Sequence, residues 1–533
     1  MMHHRGRDRG ARPEFAFARR VANEGTESLR LWAGFIAMSI GMFMAVLDIQ
    51  IVASSLPEIQ AALMVPLDRL SWVQTTYLSA EIVAIPLTGW ITRVLTLRGA
   101  FVVCVLAFTG ASAMCAAADG FWWLVPSRIV QGFFGGFLIP LVFSAIFLMF
   151  DRQARSRATM VAGVMTMIAP TLGPTIGGFI TDRFSWHWLF LINVPPGIIV
   201  AGLAQWAVSV GGGHRQDAGD VDLNAAPFLA LFLAGLQVVL SEAPKESWDN
   251  PAMLTLLVLC LASAFITLWR CLHRAAPLVD ISSFRQPNFA LACVFSFALG
   301  AGLYGATFLL PLFLGVVRHH DPFEIGLIMI VTGAAQLMAA PIATVVEQRI
   351  DARLLTGCAY ALLAAGLLGN GFATPVDDFW ELLWQQTARG AAFMLCLLPT
   401  TALALNSFPL DEVPNASGLF NLMRNLGGSI GLAVINTLIQ QRAPSHVAVL
   451  VERLQAGDRE AAQFVGLPLD RFTGQPLGAI DEETRELVAP LVEQAGLTLA
   501  INDAWLLIGG LMLLSLLLIP FLRRPQAESM SLS

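Results

Sequence analysis

Residues 121–149 read FWWLVPSRIVQGFFGGFLIPLVFSAIFLM, a run of 29 residues with a single charge, Arg128. A helix of about 20 predominantly apolar residues is long enough to cross the hydrocarbon core of a bilayer. Similar runs recur along the chain of 533 residues, of which 56% are hydrophobic and only 13% are charged. Soluble domains carry about 25% charged residues. The sequence therefore predicts an all-α membrane protein, because runs of this length keep their backbone groups paired in lipid by forming helices.

Fourteen membrane-spanning helices are predicted from these runs. They cover residues 31–54, 71–92, 99–118, 121–149, 158–181, 187–209, 223–241, 251–271, 288–315, 322–346, 354–372, 380–405, 414–439 and 499–522. With the N-terminus in the cytoplasm, 20 of the 32 Lys and Arg residues lie in cytoplasmic segments and four lie in the short outer loops. This asymmetry follows the positive-inside rule. We therefore expect both tails, residues 1–30 and 523–533, on the cytoplasmic side of the membrane.

The clearest charged side chains inside the predicted spans are Asp48, Glu81, Arg128, Arg389 and Arg424. A charge at the centre of the bilayer costs at least about 2.5 kcal/mol, so such residues are functional candidates by default. Asp48 and Arg128 fall at similar predicted depths and are expected to pair. The alternatives are that this pair is purely structural, and that Arg389 and Arg424 only bond backbone carbonyls of neighbouring helices.

Buried carboxylates are suited to proton coupling. Desolvation raises the pKa of a buried carboxyl group, and a nearby cation lowers it. A group balanced between these two effects can load a proton from one side of the membrane and release it on the other. Asp48 and Glu81 are therefore the candidate proton carriers, and Arg128 is the group expected to tune Asp48.

Glycines at four-residue spacing occur in three spans, next to proline or arginine. Small residues at this spacing let helices approach closely, and proline inside a helix removes a backbone hydrogen bond and kinks it. We interpret these segments as helices that pivot or slide, although close packing alone is the alternative. In the fourth and fifth spans the candidate gating residues are Gln131, Gly132, Gly173, Pro174, Gly177 and Gly178. In the thirteenth span the glycines follow Arg424.

A faint internal repeat indicates two similar halves. Arg128 is followed by Pro140 and then by a glycine-rich span, and Arg389 is followed by Pro399 and then by another glycine-rich span. Repeated halves around a site at the membrane midplane are a common plan among transporters.

Four motifs resemble those of the EmrB/QacA family of drug:proton antiporters, the fourteen-span branch of the major facilitator superfamily. They are Leu47-Asp48-Ile-Gln-Ile51-Val52 through Leu56-Pro57, Leu124-Val-Pro-Ser-Arg128-Ile-Val-Gln131-Gly132, Gly173-Pro174-Thr-Ile-Gly177-Gly178 and Trp188-Leu-Phe-Leu-Ile-Asn193-Val-Pro195-Pro-Gly197. The resemblance extends over residues 31–522. The loop after the second span departs from the family pattern, because Arg93 stands at an acidic position and Thr96 at a glycine position. This departure affects the charge latch that the family has at its cytoplasmic gate.

The resemblance implies the major facilitator fold and proton-coupled efflux. Residues 31–209 and 288–522 are then two six-helix bundles, and residues 210–287 hold two inserted helices with their loops. The implied activity is the exchange of protons for small hydrophobic or amphiphilic compounds, by alternating access between the bundles and without a cofactor. Arg128 belongs to the motif that the superfamily links to proton transfer. Asn193, in the sixth-span signature, joins the candidate cavity residues.

Other functional classes fit the sequence less well. An ATP-binding P-loop needs the pattern GxxxxGK[ST], and the only lysine, Lys245, lies in Ala-Pro-Lys-Glu. We therefore predict that the protein is not an enzyme, uses an ion gradient and binds neither metal nor nucleic acid. Residues 319–321 with Glu324 are predicted to be a solvated outer loop, with a metal site as the alternative. An uptake symporter, an exporter of one metabolite or siderophore, and a membrane sensor or membrane-embedded enzyme on this fold remain alternatives for the function.

Residues 441–496 form a long loop that is predicted to face the periplasm. Val447, Leu450, Val451 and Leu454 lie at helical spacing and predict an apolar stripe. Two interpretations remain open. The loop is either a docking site for a periplasmic membrane-fusion adaptor, joined to an outer-membrane channel as in EmrB-like pumps, or an amphipathic helix on the membrane surface.

Overall fold

The computed structural model describes residues 13–64, 69, 72–208, 221–274, 276–320, 322–477 and 482–523. Within these ranges the regular secondary structure is entirely helical. The α-helices are α1 (Pro13–Ser54), α2 (Leu56–Leu63), α3 (Trp72–Ala84), α4 (Thr88–Ala116), α5 (Phe121–Met149), α6 (Arg152–Arg183), α7 (Trp188–Leu191), α8 (Val194–Ala207), α9 (Ala226–Glu246), α10 (Pro251–His273), α11 (Pro287–Leu312), α12 (Pro322–Arg349), α13 (Ala352–Asn370), α14 (Phe379–Leu405), α15 (Val413–Gln455), α16 (Arg459–Val465) and α17 (Glu482–Leu516). The predicted all-α class is confirmed.

Twelve helical segments in the described part of the chain are long and apolar enough to cross a membrane. One of them, Trp72–Ala116, has 45 residues, about twice the length that a single crossing needs. Dividing this segment at its kink makes thirteen spans, and α6, which is not among the twelve, would make fourteen. The count of fourteen therefore stays a prediction.

The long segment changes direction at Thr96, where φ is 62° and ψ is 165°. This backbone region is occupied almost only by glycine, because a Cβ atom crowds the neighbouring backbone. The sequence places a β-branched residue at a position where the related motif has glycine. Thr96 therefore holds a strained conformation in the loop predicted between the second and third spans, residues 93–98.

The two halves of the chain repeat one packing pattern. In the first half α5 packs against α3 and α4, while α1 packs against α6 and α8. In the second half α14 packs against α12 and α13, while α11 packs against α15. The inserted helix α9 contacts α3 in the first half and α15 in the second. The equivalent helices α5 and α14 each carry one buried arginine, Arg128 and Arg389.

The predicted outer loop at residues 441–496 is largely helical. Helix α15 continues through it to Gln455, α16 lies within it, and α17 begins in it. Leu450 and Leu454 are buried in a small separate core formed by these elements, and Val447 packs against that core. Val451 is 40% exposed. Three of the four residues in the predicted stripe thus face a core that the segment makes for itself.

His319 and His320, the candidate metal ligands, bond different partners. His320 contacts Glu324 at 2.9 Å and Asp378 at 3.1 Å through its two ring nitrogens, and His319 contacts Gln494. Asp321 lies outside the described residues. In the ranges that the structure describes, no three potential ligand side chains are grouped closely enough to hold a metal ion.

Candidate functional site: a buried ion pair in the first half

Asp48 and Arg128 form an ion pair inside the first half of the molecule. The Nη1 atom of Arg128 lies 2.5 Å from Oδ2 of Asp48. Both side chains are completely buried, with 0% of their surface exposed. Helix α1 carries the carboxylate and α5 carries the guanidinium. The pairing expected from the similar depths of Asp48 and Arg128 is therefore present.

Three donors converge on the carboxylate of Asp48. Besides Arg128, Gln131 donates from Nε2 to Oδ1 at 2.9 Å, and Asn193 donates from Nδ2 to the same oxygen at 2.8 Å. Gln131 lies one turn beyond Arg128 on α5 and accepts a bond from Nη1 of that arginine at 2.7 Å. Because an ionised carboxylate only accepts hydrogen bonds, this arrangement fits the charged form of Asp48.

Helix α3 holds Arg128 from another side. The Nε atom donates to the carbonyl oxygen of Val73 at 3.2 Å, and the guanidinium carbon lies 4.2 Å from the centre of the Tyr77 ring. A cation within about 6 Å of an aromatic face is attracted by the ring quadrupole. The remaining nitrogen, Nη2, is buried and has no partner among the described residues. Nothing in the sequence distinguishes Tyr77, since one tyrosine in an apolar run is an ordinary core residue.

Asn193 reaches Asp48 because the predicted sixth span is interrupted. Helix α7 ends at Leu191 and α8 begins at Val194, with Pro195 in its first turn. Proline is tolerated there because the first backbone N–H groups of a helix have no partner within it. Ser112 on α4 completes the cluster by accepting a bond from Gln131 at 2.8 Å. Sequence reasoning missed Ser112, which is one of many small polar residues in apolar runs.

Glu81 lies apart from this cluster on α3. Its side chain is nearly buried, at 6% exposed, and no hydrogen bond or ion pair to it occurs among the described residues. Its carboxyl group lies within electrostatic range of Arg128 in the first half and of Tyr304 on α11 in the second. Glu81 is therefore a buried acid within electrostatic range of both halves.

Two glycines of α5 set its distance from α3. A Cβ atom at Gly132 would collide with the carbonyl group of Tyr77, and one at Gly136 would collide with the backbone of Glu81. A neighbouring backbone cannot move aside as the end of a flexible side chain can. These glycines therefore allow the close approach of the two helices that carry Arg128 and Glu81.

The glycines of α6 differ from one another. A Cβ atom at Gly173 would collide with the side chain of Gln50 on α1, whereas one at Gly178 would meet no atom within 4 Å. Gly177 is buried. The side chain of Pro174 lies outside the described residues. Close packing thus accounts for Gly173 but not for Gly178.

Arg389 and Arg424 do not join the Asp48 cluster. Arg389 is 7% exposed and donates from Nη2 to the hydroxyl of Thr332 at 3.0 Å. Arg424 lies between two rings, 5.4 Å from that of Phe143 on α5 and 5.3 Å from that of Phe420 on its own helix. Each arginine has at least one buried nitrogen without a partner among the described residues. Neither one bonds a backbone carbonyl there, which was the alternative role.

Comparison with known proteins shows the family to which the chain belongs. A family model described as Major Facilitator Superfamily matches residues 38–432, a range that contains all the candidate site residues. The colistin resistance protein EmrB of Acinetobacter baumannii is 38% identical over 418 residues, which cover 78% of this chain and 81% of that protein. The chain belongs to the EmrB/QacA family of the major facilitator superfamily. The resemblance inferred from the four motifs is confirmed.

Another relative agrees with this assignment, and a solved structure shares the fold. The multidrug export protein EmrB of Escherichia coli K12 is 29% identical, covering 92% of this chain and 95% of that protein. The proton:xylose symporter XylE, solved with bound 6-bromo-6-deoxy-D-glucose, has a TM-score of 0.60 at 12% identity, covering 93% of this chain and 97% of that one. At that identity the likeness concerns the fold alone. The protein is therefore a multi-pass membrane transporter with the major facilitator fold.

Proposed function

We propose that this protein exports small hydrophobic or amphiphilic compounds across the bacterial inner membrane in exchange for protons. The observation that carries the proposal is the ion pair between Asp48 and Arg128, which is fully buried at membrane depth. Burying two charges costs several kcal/mol for each ion before their attraction offsets it. A role in reversible protonation accounts for such a costly pair, whereas helix packing alone could be achieved with apolar side chains. The names of the two EmrB relatives, which refer to multidrug export and colistin resistance, support efflux as the direction.

In the proposed mechanism, protonation of Asp48 releases Arg128. The neutral acid forms weaker hydrogen bonds than the carboxylate, because charge-assisted bonds are roughly twice as strong as neutral ones. The bonds that join Asp48 of α1 to Arg128 and Gln131 of α5, and to Asn193 just before α8, then weaken. Helix α5 also packs against α3 through its glycines. A shift of α5 therefore moves α3, which carries Glu81, and the helices of the second half that contact α5.

Contacts at one end of the molecule support a state that is closed toward the cytoplasm. At the helix ends predicted to face the cytoplasm, Ser417 of α15 donates to the carbonyl oxygen of Pro140 on α5 at 2.9 Å. Nearby, Ser156 of α6 donates to Glu347 of α12. These bonds join the two halves at that end. In this state protons reach Asp48 from the periplasm, and breaking the same bonds opens the path to the cytoplasm.

The proton gradient supplies enough energy for export. One proton moving through about 100 mV provides about 2.3 kcal/mol. Since about 1.4 kcal/mol corresponds to a tenfold ratio of concentrations, one proton supports a substrate gradient of roughly fortyfold.

Inverted membrane vesicles test the proposal, because export appears in them as uptake of a fluorescent lipophilic dye into the lumen. Wild-type protein should accumulate the dye when the lumen is acidic and lose it when a protonophore is added. Asp48→Asn should lower the proton-driven rate by at least about tenfold, as expected when a proton-transfer group is removed. Glu58→Gln, at an exposed acid on α2, is the matched control and should behave as wild type.

Two results would overturn the proposal. One is an Asp48→Asn variant that still accumulates dye in response to pH, and the other is wild-type transport that ignores the gradient. The direction of the dye movement also separates export from uptake by symport. A symporter would move the dye along with the protons, out of the acidic lumen.

A periplasmic adaptor is the partner proposed for residues 441–496. The segment is folded around its own core and so presents a defined surface beyond the membrane-spanning helices. Val451→Glu changes an exposed apolar residue of that surface. We expect it to lower recovery of a cross-linked adaptor from cells and to leave transport in isolated vesicles unchanged. Equal recovery of the adaptor with wild type and variant would contradict this surface.

A further inference from the structure

The second half of the molecule holds a buried arginine on the helix equivalent to the one that carries Arg128. Helix α14 packs against α12 and α13 as α5 packs against α3 and α4. A Cβ atom at Gly390 would collide with the carbonyl of Thr332 on α12, just as one at Gly132 would collide with the carbonyl of Tyr77 on α3. Arg389 is therefore placed on the central helix of its half as Arg128 is in the first.

The two arginines differ in how their charges are balanced. Arg128 has the carboxylate of Asp48 at 2.5 Å. Arg389 has no ion pair and no carboxylate acting on it among the described residues, and its Nη1 atom is buried without a partner. Because arginine stays protonated in proteins, this half of the molecule contains a buried positive charge that no described group neutralises.

A cavity lies beside this charge. It has a volume of about 40 Å³ and is bordered by Arg389, Thr332, Gln336, Thr307 and apolar side chains of α11 to α14. A space of this size exceeds the roughly 10–15 Å³ that one water molecule needs, so it also admits a small head group. The apolar wall includes Leu303 and Phe393, which suits an attached hydrocarbon.

We propose that Arg389 and this cavity form a subsite for the anionic group of an amphiphilic substrate, with a carboxylate as the simplest case. The proposal rests on the export function given above and names a substrate class for it. The anion supplies the counter-charge that Asp48 supplies to Arg128. Thr332, which accepts a bond from Nη2, holds the guanidinium so that Nη1 is free for the ligand.

Photolabelling of the full chain in lipid nanodiscs tests the subsite. Three probes share a diazirine-bearing twelve-carbon chain and differ only in the head group, which is a carboxylate, an alcohol or a trimethylammonium ion. Mass spectrometry measures the labelling of α11 to α14 as a function of probe concentration. The carboxylate should label these helices of the wild type at a concentration at least about tenfold lower than the alcohol, because hydrogen bonds to charged groups are the strong ones.

Arginine variants distinguish binding of the carboxylate probe at Arg389 from its attraction to any positive charge in the protein. Arg389→Gln should raise the half-saturating concentration of the carboxylate by about tenfold and change that of the alcohol by less than about twofold. Arg389→Lys, which keeps the charge, should lose less. Arg424→Gln is the matched control, since Arg424 is a second buried arginine with unpartnered nitrogens, and it should leave carboxylate labelling unchanged. Should Arg389→Gln not fold, Thr332→Val replaces it, with an expected rise of about threefold.

The subsite is overturned if the carboxylate and the alcohol label the wild type equally. The same conclusion follows if Arg389→Gln or its replacement changes all three probes alike, or if Arg424→Gln has as large an effect. Failure of the export function is a separate result. It would appear as wild-type vesicles that transport none of the probes in response to pH. If only the subsite is wrong, pH-driven transport is intact and the three probes label α11 to α14 at the same concentration.

Discussion

The carboxylate of Asp48 and the guanidinium of Arg128 lie 2.5 Å apart, although 80 positions separate them in the chain and neither side chain is exposed. Gln131 bonds both partners, so the pair is part of a network and not an isolated contact. Removing one member of a buried pair leaves a charge without compensation, which typically costs about 3–5 kcal/mol. The stability of the first half and its proposed response to protons therefore depend on the same atoms.

A double-mutant cycle measures this dependence. Asp48→Asn and Arg128→Gln are each expected to lower the free energy of unfolding by about 3–5 kcal/mol. The double variant leaves no uncompensated charge, so its loss should be smaller than the sum by at least about 1 kcal/mol. Thermal unfolding can be followed with a thiol-reactive dye once the exposed Cys358 has been replaced by serine, because Cys104 and Cys293 are buried until the protein unfolds. Strictly additive losses would mean that the two side chains do not stabilise one another.

Glu81→Gln is expected to keep or raise the melting temperature. The carboxylate has no bonded partner to lose among the described residues, and a neutral amide costs less to bury than a charge. Proton-driven export in vesicles should nevertheless fall severalfold if Glu81 carries a proton. Glu242→Gln is the control, since Glu242 is a buried acid that does have a partner, Lys245 at 3.1 Å. This control should lose stability and keep proton-driven export. If Glu81→Gln keeps proton-driven export and Glu242→Gln loses it, Glu81 is excluded from the proton path.

Two glycine-to-alanine variants should have different effects on stability. Gly132→Ala forces a Cβ atom against the carbonyl of Tyr77, and overpacking of this kind costs about 1–3 kcal/mol. Gly178→Ala faces open space and should be neutral, or stabilising by up to about 1 kcal/mol from helix propensity. Melting temperatures of the purified variants test both expectations. A stable Gly132→Ala protein would show that α3 and α5 can separate without cost.

Thr96→Gly is expected to stabilise the protein by about 1 kcal/mol, because glycine removes the strain of the positive φ at this position. Thr92→Gly is the matched control, one turn earlier in the same element and in a regular helical conformation. There glycine should destabilise by roughly 0.3 kcal/mol, because its helix propensity is lower than that of threonine. Melting curves of the two variants should shift in opposite directions. A lower melting temperature for Thr96→Gly would mean that the threonine side chain makes a contact worth more than the strain.

The candidate site was predictable in part. Asp48, Glu81 and Arg128 are charges in apolar runs, so a single rule about burial selects them. Gln131 and Asn193 were selected through motifs, but their direct bonds to Asp48 were not foreseen. Tyr77 and Ser112 were missed, because an aromatic ring or a hydroxyl in a membrane helix is common and its role depends on what lies opposite. For Gly178 the motif indicated a gating or packing role, and the structure places no neighbouring atom there.

The sequence by itself determined that this chain is a membrane protein and which family it joins. Apolar runs as long as a bilayer is thick form helices, and the few charges within them stand out. Only the tertiary structure decided that Arg128 is neutralised while Arg389, on the equivalent helix, has no counter-charge among the described residues. The physical reason is that a helical sequence places a charge at a depth and on a face, but its partners come from other helices. Asn193 reaches Asp48 from 145 positions away, and that approach is set by how the helices pack.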